Sequence, residues 1–213
     1  MFRIHEGRVV PLFGRKSIIG TIVMGLAANA FAAAGFTIEG DQLIDANGNP
    51  FVIRGINHPH AWYADKLQSA IPEIAKTGAN TVRVVMATGG QWTRTSASQV
   101  RQIINICKAN KMIAVLEVHD CTGYGEKAEA KPLSTAVDYW LSADIKAELD
   151  GQEAYVILNI ANEPFGNGVS ADTYIDEHKK AVKRLRDGGY KHNIMIDAAN
   201  WGQDWEGAMR DRA

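Results

Sequence analysis

Short, continuous apolar runs alternate along most of this chain with longer stretches in which apolar positions recur every three or four residues. The first pattern predicts buried strands and the second predicts amphipathic helices. "FTIEGDQLIDANGNPFVIRGIN" reads as a hairpin turning at Asn47-Gly48, followed by a strand over 51–56. A helix over 67–77 closed by Gly78, a strand at "NTVRVVMA" (80–87) and a helix over 96–110 opened by a Ser/Thr cluster come next. The strand "MIAVLEVHD" (112–120), a helix over 135–149 with Trp140 in its core stripe and the strand "YVILNIAN" (155–162) continue the alternation. A helix over 171–187 ends at Gly188-Gly189, "NIMIDAAN" (193–200) forms a fifth strand, and "WEGAMRDRA" reads as the opening of a further helix.

Alternating strands and helices with apolar strands imply an α/β fold, a parallel sheet covered by helices. A β/α barrel and a doubly wound open sheet both satisfy the pattern. No G-x-G-x-x-G follows the first strand, so a dinucleotide site has no support. Polar and aromatic residues instead gather just past strand ends: Asn57, His58, His60 and Trp62; His119 and Asp120; Asn162 and Glu163; Asn200 and Trp201. Catalytic groups of a barrel collect on that C-terminal face. The TIM-barrel architecture, (β/α)8, is favoured, although a complete one needs eight units in roughly 250 residues. Only about five units are legible here, which predicts an incomplete barrel with two unpaired sheet edges.

The front of the chain does not belong to that pattern. "MFRIHEGRVVPLFGRK" is basic, "SIIGTIVMGLAANAFAAA" is apolar, and Ala30-Phe31-Ala32 has the small residues of a cleavage site. This is the form of a secretory signal peptide over residues 1–32, leaving 33–213 as the mature, secreted domain. An uncleaved anchor is the alternative, weakened by Gly20, Gly25 and Asn29. The 213 residues, net charge of −1 and 46% hydrophobic content suit one globular domain. That charge gives no reason to expect nucleic acid or an anionic membrane as partner. Export permits disulfides, but Cys107 and Cys121 flank a strand roughly 25 Å long at ~3.3 Å per residue, so two free thiols are predicted.

Five segments in order, "DANGNPFVIRGINHPHAWY", "GANTVRVVMATGGQW", "VLEVHD", "LNIANEP" and "IDAANWGQ", resemble glycoside hydrolase family 5, and within it the secreted bacterial endo-β-1,4-mannanases. The resemblance covers about residues 35–204. It implies a retaining, two-carboxylate hydrolysis of β-1,4-mannosidic bonds in mannan, with no cofactor or metal and a monomer as the complete form. Glu163 falls on the family's general acid/base, which gives a proton to the leaving oxygen and later takes one from water. Asn162 would hold the sugar's 2-hydroxyl. Arg83 falls on the arginine that keeps the nucleophile ionised, and its alternative role is an ion pair inside the barrel with Glu117. His119 falls on a substrate-contacting histidine, and His60, Trp62 and Trp201 are further candidate substrate contacts. Trp92 is a weaker candidate for stacking on a sugar face.

Adjacent strand side chains point to opposite faces, so Asn162 and Glu163 can serve one sugar only if Glu163 lies beyond the regular strand. The family's nucleophile, a glutamate ending a later strand, has no counterpart among these residues. Asp120 is the best-placed substitute, Asp197 being read as inside a strand and Asp172, Asp176 and Glu177 as helical. The chain is therefore expected to be inactive alone. Three alternatives stay open: an endo-β-1,4-glucanase of the same family, a metal-dependent hydrolase using "HPH" at 58–60, and a non-catalytic carbohydrate binder.

Overall fold

A computed structural model describes residues 35–205 and 207–209. The segment read as a signal peptide (1–32) and most of the "WEGAMRDRA" helix lie outside the described residues. Five parallel strands form the sheet: β3 (Gly55–His58), β4 (Thr81–Met86), β5 (Ile113–Val118), β6 (Val156–Asn159) and β7 (Ile194–Met195). They follow a small antiparallel hairpin of β1 (Thr37–Glu39) and β2 (Gln42–Ile44). The sheet order is β3-β4-β5-β6-β7, the order of the chain itself. A doubly wound sheet reverses direction at a switch point. The unbroken order therefore decides for the barrel type, with β3 and β7 each paired on one side only among the described residues.

Helices cover one face: α1 (His60–Tyr63), α2 (Leu67–Lys76), α3 (Ala97–Ala109), α4 (Leu133–Leu141), α5 (Ala143–Leu149) and α6 (Ala171–Asp187). The start of α3 is fixed by a capping box, in which Ser96 accepts from the Gln99 N–H and Gln99 accepts from the Ser96 N–H. Ser170 caps α6 by accepting the Thr173 N–H alone, and Gly188 closes it. The predicted single helix over 135–149 is two. Ser142 takes an extended conformation (ψ 137°), and its hydroxyl is bound by Arg94 and bonded to the Tyr139 carbonyl. Trp140 is fully buried, its Nε1 donating to the Ile160 carbonyl at 2.9 Å.

Alternation along the strands sorts their side chains. Val82, Val84, Met86, Ala114, Leu116, Val118, Val156 and Leu158 enter the core under the helices. Val115 and Ile157 face the other way, where Phe36, Leu43 and Phe51 from the hairpin region pack against them. That same inner face carries Arg83, in register with Val115, and, further toward the strands' C-terminal ends, Glu117 and Asn159. The inner face is thus apolar where the hairpin covers it and charged at the end where catalytic groups belong.

Strand boundaries at the front of the sheet differ from the sequence reading, and the strand expected over 155–162 is the shorter β6. The hairpin turns at Gly40-Asp41; Asn47-Gly48 belongs to a second turn, in which the Asp45 carboxylate accepts the N–H groups of Asn47 and Asn49. Asp side chains make such turns by binding backbone two residues on. The strand expected over 51–56 is β3, over 55–58, because pairing with β4 begins at Gly55↔Thr81. Cys107 and Cys121 are both buried and free, as the strand length required.

Candidate active site

Beyond β6 the chain keeps partial pairing, with the Asn162 N–H donating to the Val118 carbonyl at 3.1 Å. Glu163 then turns into left-handed space (φ 34°), a conformation that L-residues rarely adopt. The turn takes Glu163 off the strand's alternation, which meets the condition set by the sequence for two adjacent residues to share one site. Its carbonyl accepts from Gly123 at 3.0 Å, and its carboxyl lies against Gly202, where a Cβ would stand 3.5 Å from Oε1.

Arg83 is the hub beneath it. Its Nε and Nη2 donate to Asn159 Oδ1 at 3.1 and 2.7 Å, and Nη2 also reaches Asn162 Oδ1 at 3.0 Å and Asp197 Oδ2 at 3.4 Å. Nη1 stands 3.5 Å from Glu117 Oε1, so the ion pair considered from the sequence exists alongside the other contacts. The other side of Asn162 donates to Thr122 Oγ1 at 3.0 Å, leaving its amide clamped at both ends. Glu117 is fully buried; burial pushes its carboxyl above the usual range, and His119 and Arg83 oppose that shift. Its Oε1 meets His119 Nδ1 at 3.2 Å, whereas Oε2 has no partner among the described residues.

His119 is the inner wall of an aromatic corner. Trp62 packs edge-on to it at 5.3 Å between centroids, Trp92 lies 5.6 Å away, and the two indoles are 5.1 Å apart. With Thr122 and Lys127 they bound a cavity of about 160 Å³. Trp201 approaches from the segment after β7, where Asn200 and Trp201 both have left-handed φ (56° and 57°). Its Nε1 donates to Glu126 Oε2 at 3.0 Å, and the Lys127 ammonium stands 4.8 Å from the ring. The strand expected over 193–200 is thereby cut to two residues.

Arg83, Asn162, Glu163 and His119 are thus joined in one bonded group, with Trp62 packed on His119. His60 stands apart: it is 2% exposed, its ring lies edge-on to His58 at 5.7 Å, and neither ring nitrogen has a hydrogen-bond partner among the described residues. Burial lowers its pKa to about 4, with His58 adding to the effect. No group of three or more His, Cys, Asp or Glu side chains suited to a metal occurs among the described residues, so the His58-Pro59-His60 pair gains no third ligand there.

The two aspartates considered from the sequence take different roles, and Asp197 lies past the strand rather than inside it. Asp120 is buried and turned to the 88–91 loop, where it accepts the N–H groups of Thr88 and Gln91, each at 2.7 Å. It is a loop-holding carboxylate, and its orientation removes it as a partner for Glu163. Asp197 lies past β7 and faces the site: Oδ2 accepts the Glu163 backbone N–H at 2.9 Å and Oδ1 accepts from Asn159 Nδ2 at 2.9 Å. Asn159 escaped the sequence reading too. The signal available was a single amide inside the otherwise apolar run "YVILN", since buried polar groups need partners.

An Asn-Glu pair with its Glu on a left-handed turn, an arginine hub and an indole corner at the C-terminal ends of parallel strands define the class: a β/α-barrel protein with a candidate site on that face. Residues 44–212 match the cellulase family, glycosyl hydrolase family 5, and the chain belongs to that family. It is 53% identical over 201 residues to the mannan endo-1,4-beta-mannosidase of Cellvibrio japonicus, covering 92% of this chain and 46% of that protein. The mannanase catalytic domain of Streptomyces sp. SirexAA-E superposes with a TM-score of 0.79 at 46% identity, over 97% of this chain and 59% of that one. The mannotriose complex of Thermomonospora fusca beta-mannanase gives 0.80 at 45% identity, over 84% and 59%. This chain spans about half the length of the curated mannanases it matches.

Proposed function

We propose that this chain carries the acid/base half of an endo-acting mannanase that cleaves β-1,4-mannosidic bonds with retention. The observation that carries the reading is Glu163 on its left-handed turn beside a clamped Asn162, in a chain about half identical to proteins named mannanases. A retaining site needs two carboxyl groups ~5–5.5 Å apart. Asp120 and Asp197 are already bound by other donors, so the nucleophile is proposed to come from outside these residues. Trp62 and Trp201 would stack on pyranose faces, and His119 and Asn162 would bind hydroxyls. Residues 1–32 are proposed to be a cleaved secretory leader, which would bring the enzyme to an extracellular polysaccharide.

The test is a reducing-sugar assay on locust-bean mannan and carboxymethylcellulose. It uses residues 33–213 and the Glu163→Gln variant, each alone and each mixed with the C-terminal half of a longer relative. Mannan hydrolysis in the mixture that falls at least about 100-fold in Glu163→Gln supports the reading, since general acid/base groups contribute 10²–10⁴-fold. A preference for carboxymethylcellulose would move the substrate to glucan. Hydrolysis unaffected by Glu163→Gln would overturn the assignment.

A further inference from the structure

Nothing in the two-carboxylate chemistry assigns a role to Asp197, yet it receives the backbone N–H of the residue that chemistry turns on. We propose that Asp197 is a positioning residue for Glu163, holding the left-handed turn that aims the acid/base carboxyl. The proposal rests on the assignment of Glu163 made above.

Three contacts converge on this one carboxylate: the Glu163 N–H at 2.9 Å, Asn159 Nδ2 at 2.9 Å and Arg83 Nη2 at 3.4 Å. All three are donors. An ionised carboxylate is acceptor-only with about four lone-pair sites, so it can serve them together. An amide in its place would turn an NH2 toward either Asn159 or Glu163. Asn159 cannot accommodate this by flipping, because its Oδ1 already accepts twice from Arg83. The side chain is only 18% exposed, so water does not readily replace a lost partner. Its own backbone is fixed by Tyr174, whose hydroxyl donates to the Asp197 carbonyl at 3.0 Å. The donors of the network therefore all converge on Asp197, from Arg83 directly and through Asn159 on one side and from the strained Glu163 turn on the other.

That directionality supplies the experiment. Asp197→Ala removes every acceptor, Asp197→Asn misdirects one contact, and the double variant Asn159→Asp/Asp197→Asn exchanges carboxylate and amide, keeping donor opposite acceptor from Arg83 to the Glu163 N–H and losing only the 3.3 Å bond from Asn159 Nδ2 to the Met195 carbonyl. Hydrogen exchange of the Glu163 amide in the 15N-labelled chain is the first readout. Exchange should speed up by at least about tenfold in Asp197→Ala and return toward the wild-type rate in the double variant. In the mannan-hydrolysing mixture, kcat should fall about 10- to 100-fold in Asp197→Ala with KM within about twofold, as misplacing a catalytic group does. The double variant should recover most of that loss. A residue that merely stabilises the fold would leave the exchange and kcat of the folded protein unchanged, and that result, or a double variant no better than Asp197→Asn alone, overturns the proposal. The amide measurement decides it even where no preparation hydrolyses mannan, an outcome that would count against the proposed function instead.

Discussion

Gly123 sits at φ 76° under the Trp201 ring, and a Cβ built there would stand 2.2 Å from the indole Cη2 and 2.8 Å from Cζ2 and Cζ3. Ordinary contact begins at about 3.4 Å, so Gly123→Ala forces the ring out by roughly 1.2 Å. Left-handed backbone alone costs a residue with a Cβ roughly 1–2 kcal/mol, partly offset by about 0.4–1 kcal/mol from a stiffer unfolded chain. Displacing the indole adds about 0.5–1 kcal/mol for its exposed bond to Glu126 and a similar amount for the Lys127 contact. The expected total is about 2–3 kcal/mol, or ~5–10 °C in Tm for a domain of this size. Gly78→Ala is the control, with φ 85° and nothing within 4 Å of its Cβ; it carries the backbone penalty alone, about 1 kcal/mol. Urea melts of both variants, repeated in a Trp201→Ala background, isolate the clash, because the excess at Gly123 should vanish once the ring is gone. Equal penalties at the two glycines, or a coupling below about 0.5 kcal/mol, would refute the packing of Trp201 on Gly123. Since the Gly123 N–H also holds the Glu163 carbonyl, a substitution here should also speed hydrogen exchange of the Gly123 amide.

Arg83→Lys should destabilise by about 2–3 kcal/mol despite keeping the charge, because a point ammonium cannot serve Asn159, Asn162, Asp197 and Glu117 together; a urea midpoint within 0.5 M of wild type, roughly 1 kcal/mol at a typical slope, would argue against the hub. His60 binds its proton less readily folded, at about 4, than in the unfolded chain near 6.5, so its contribution is fully present above pH 6.5 and is lost as pH falls toward 4. Measured between pH 7 and 4, His60→Phe should flatten the decline in stability by roughly 2 kcal/mol, and identical slopes would sink the assignment. Burial pushes both thiols up to about 12, so the native protein should resist a thiol-specific reagent at pH 8 and react with two equivalents in urea. Rapid native labelling would show that Cys107 or Cys121 is accessible.

The fold class and the limits of α2, α3 and α6 were legible in the sequence because each depends on near neighbours in the chain, whereas the break at Ser142 was not. Hydrophobic period separates strand from helix. Ser96 and Ser170 mark helix starts through bonds spanning three residues, and Gly188 stops α6 within one turn. Free cysteines followed from strand length alone. What the tertiary structure decided is which polar groups meet. Arg83, Glu117, Asn159 and Asp197 come from four strands or strand ends and touch only because parallel pairing sets their register, with sequence separations of 34, 76 and 114 residues from Arg83. Asp120 and Asp197 are both acids beside a strand end, and nothing local says which turns to a loop and which to the site. The backbone conformations of Glu163, Asn200 and Trp201 are equally non-local, since left-handed turns at non-glycine residues persist only when surrounding contacts hold them.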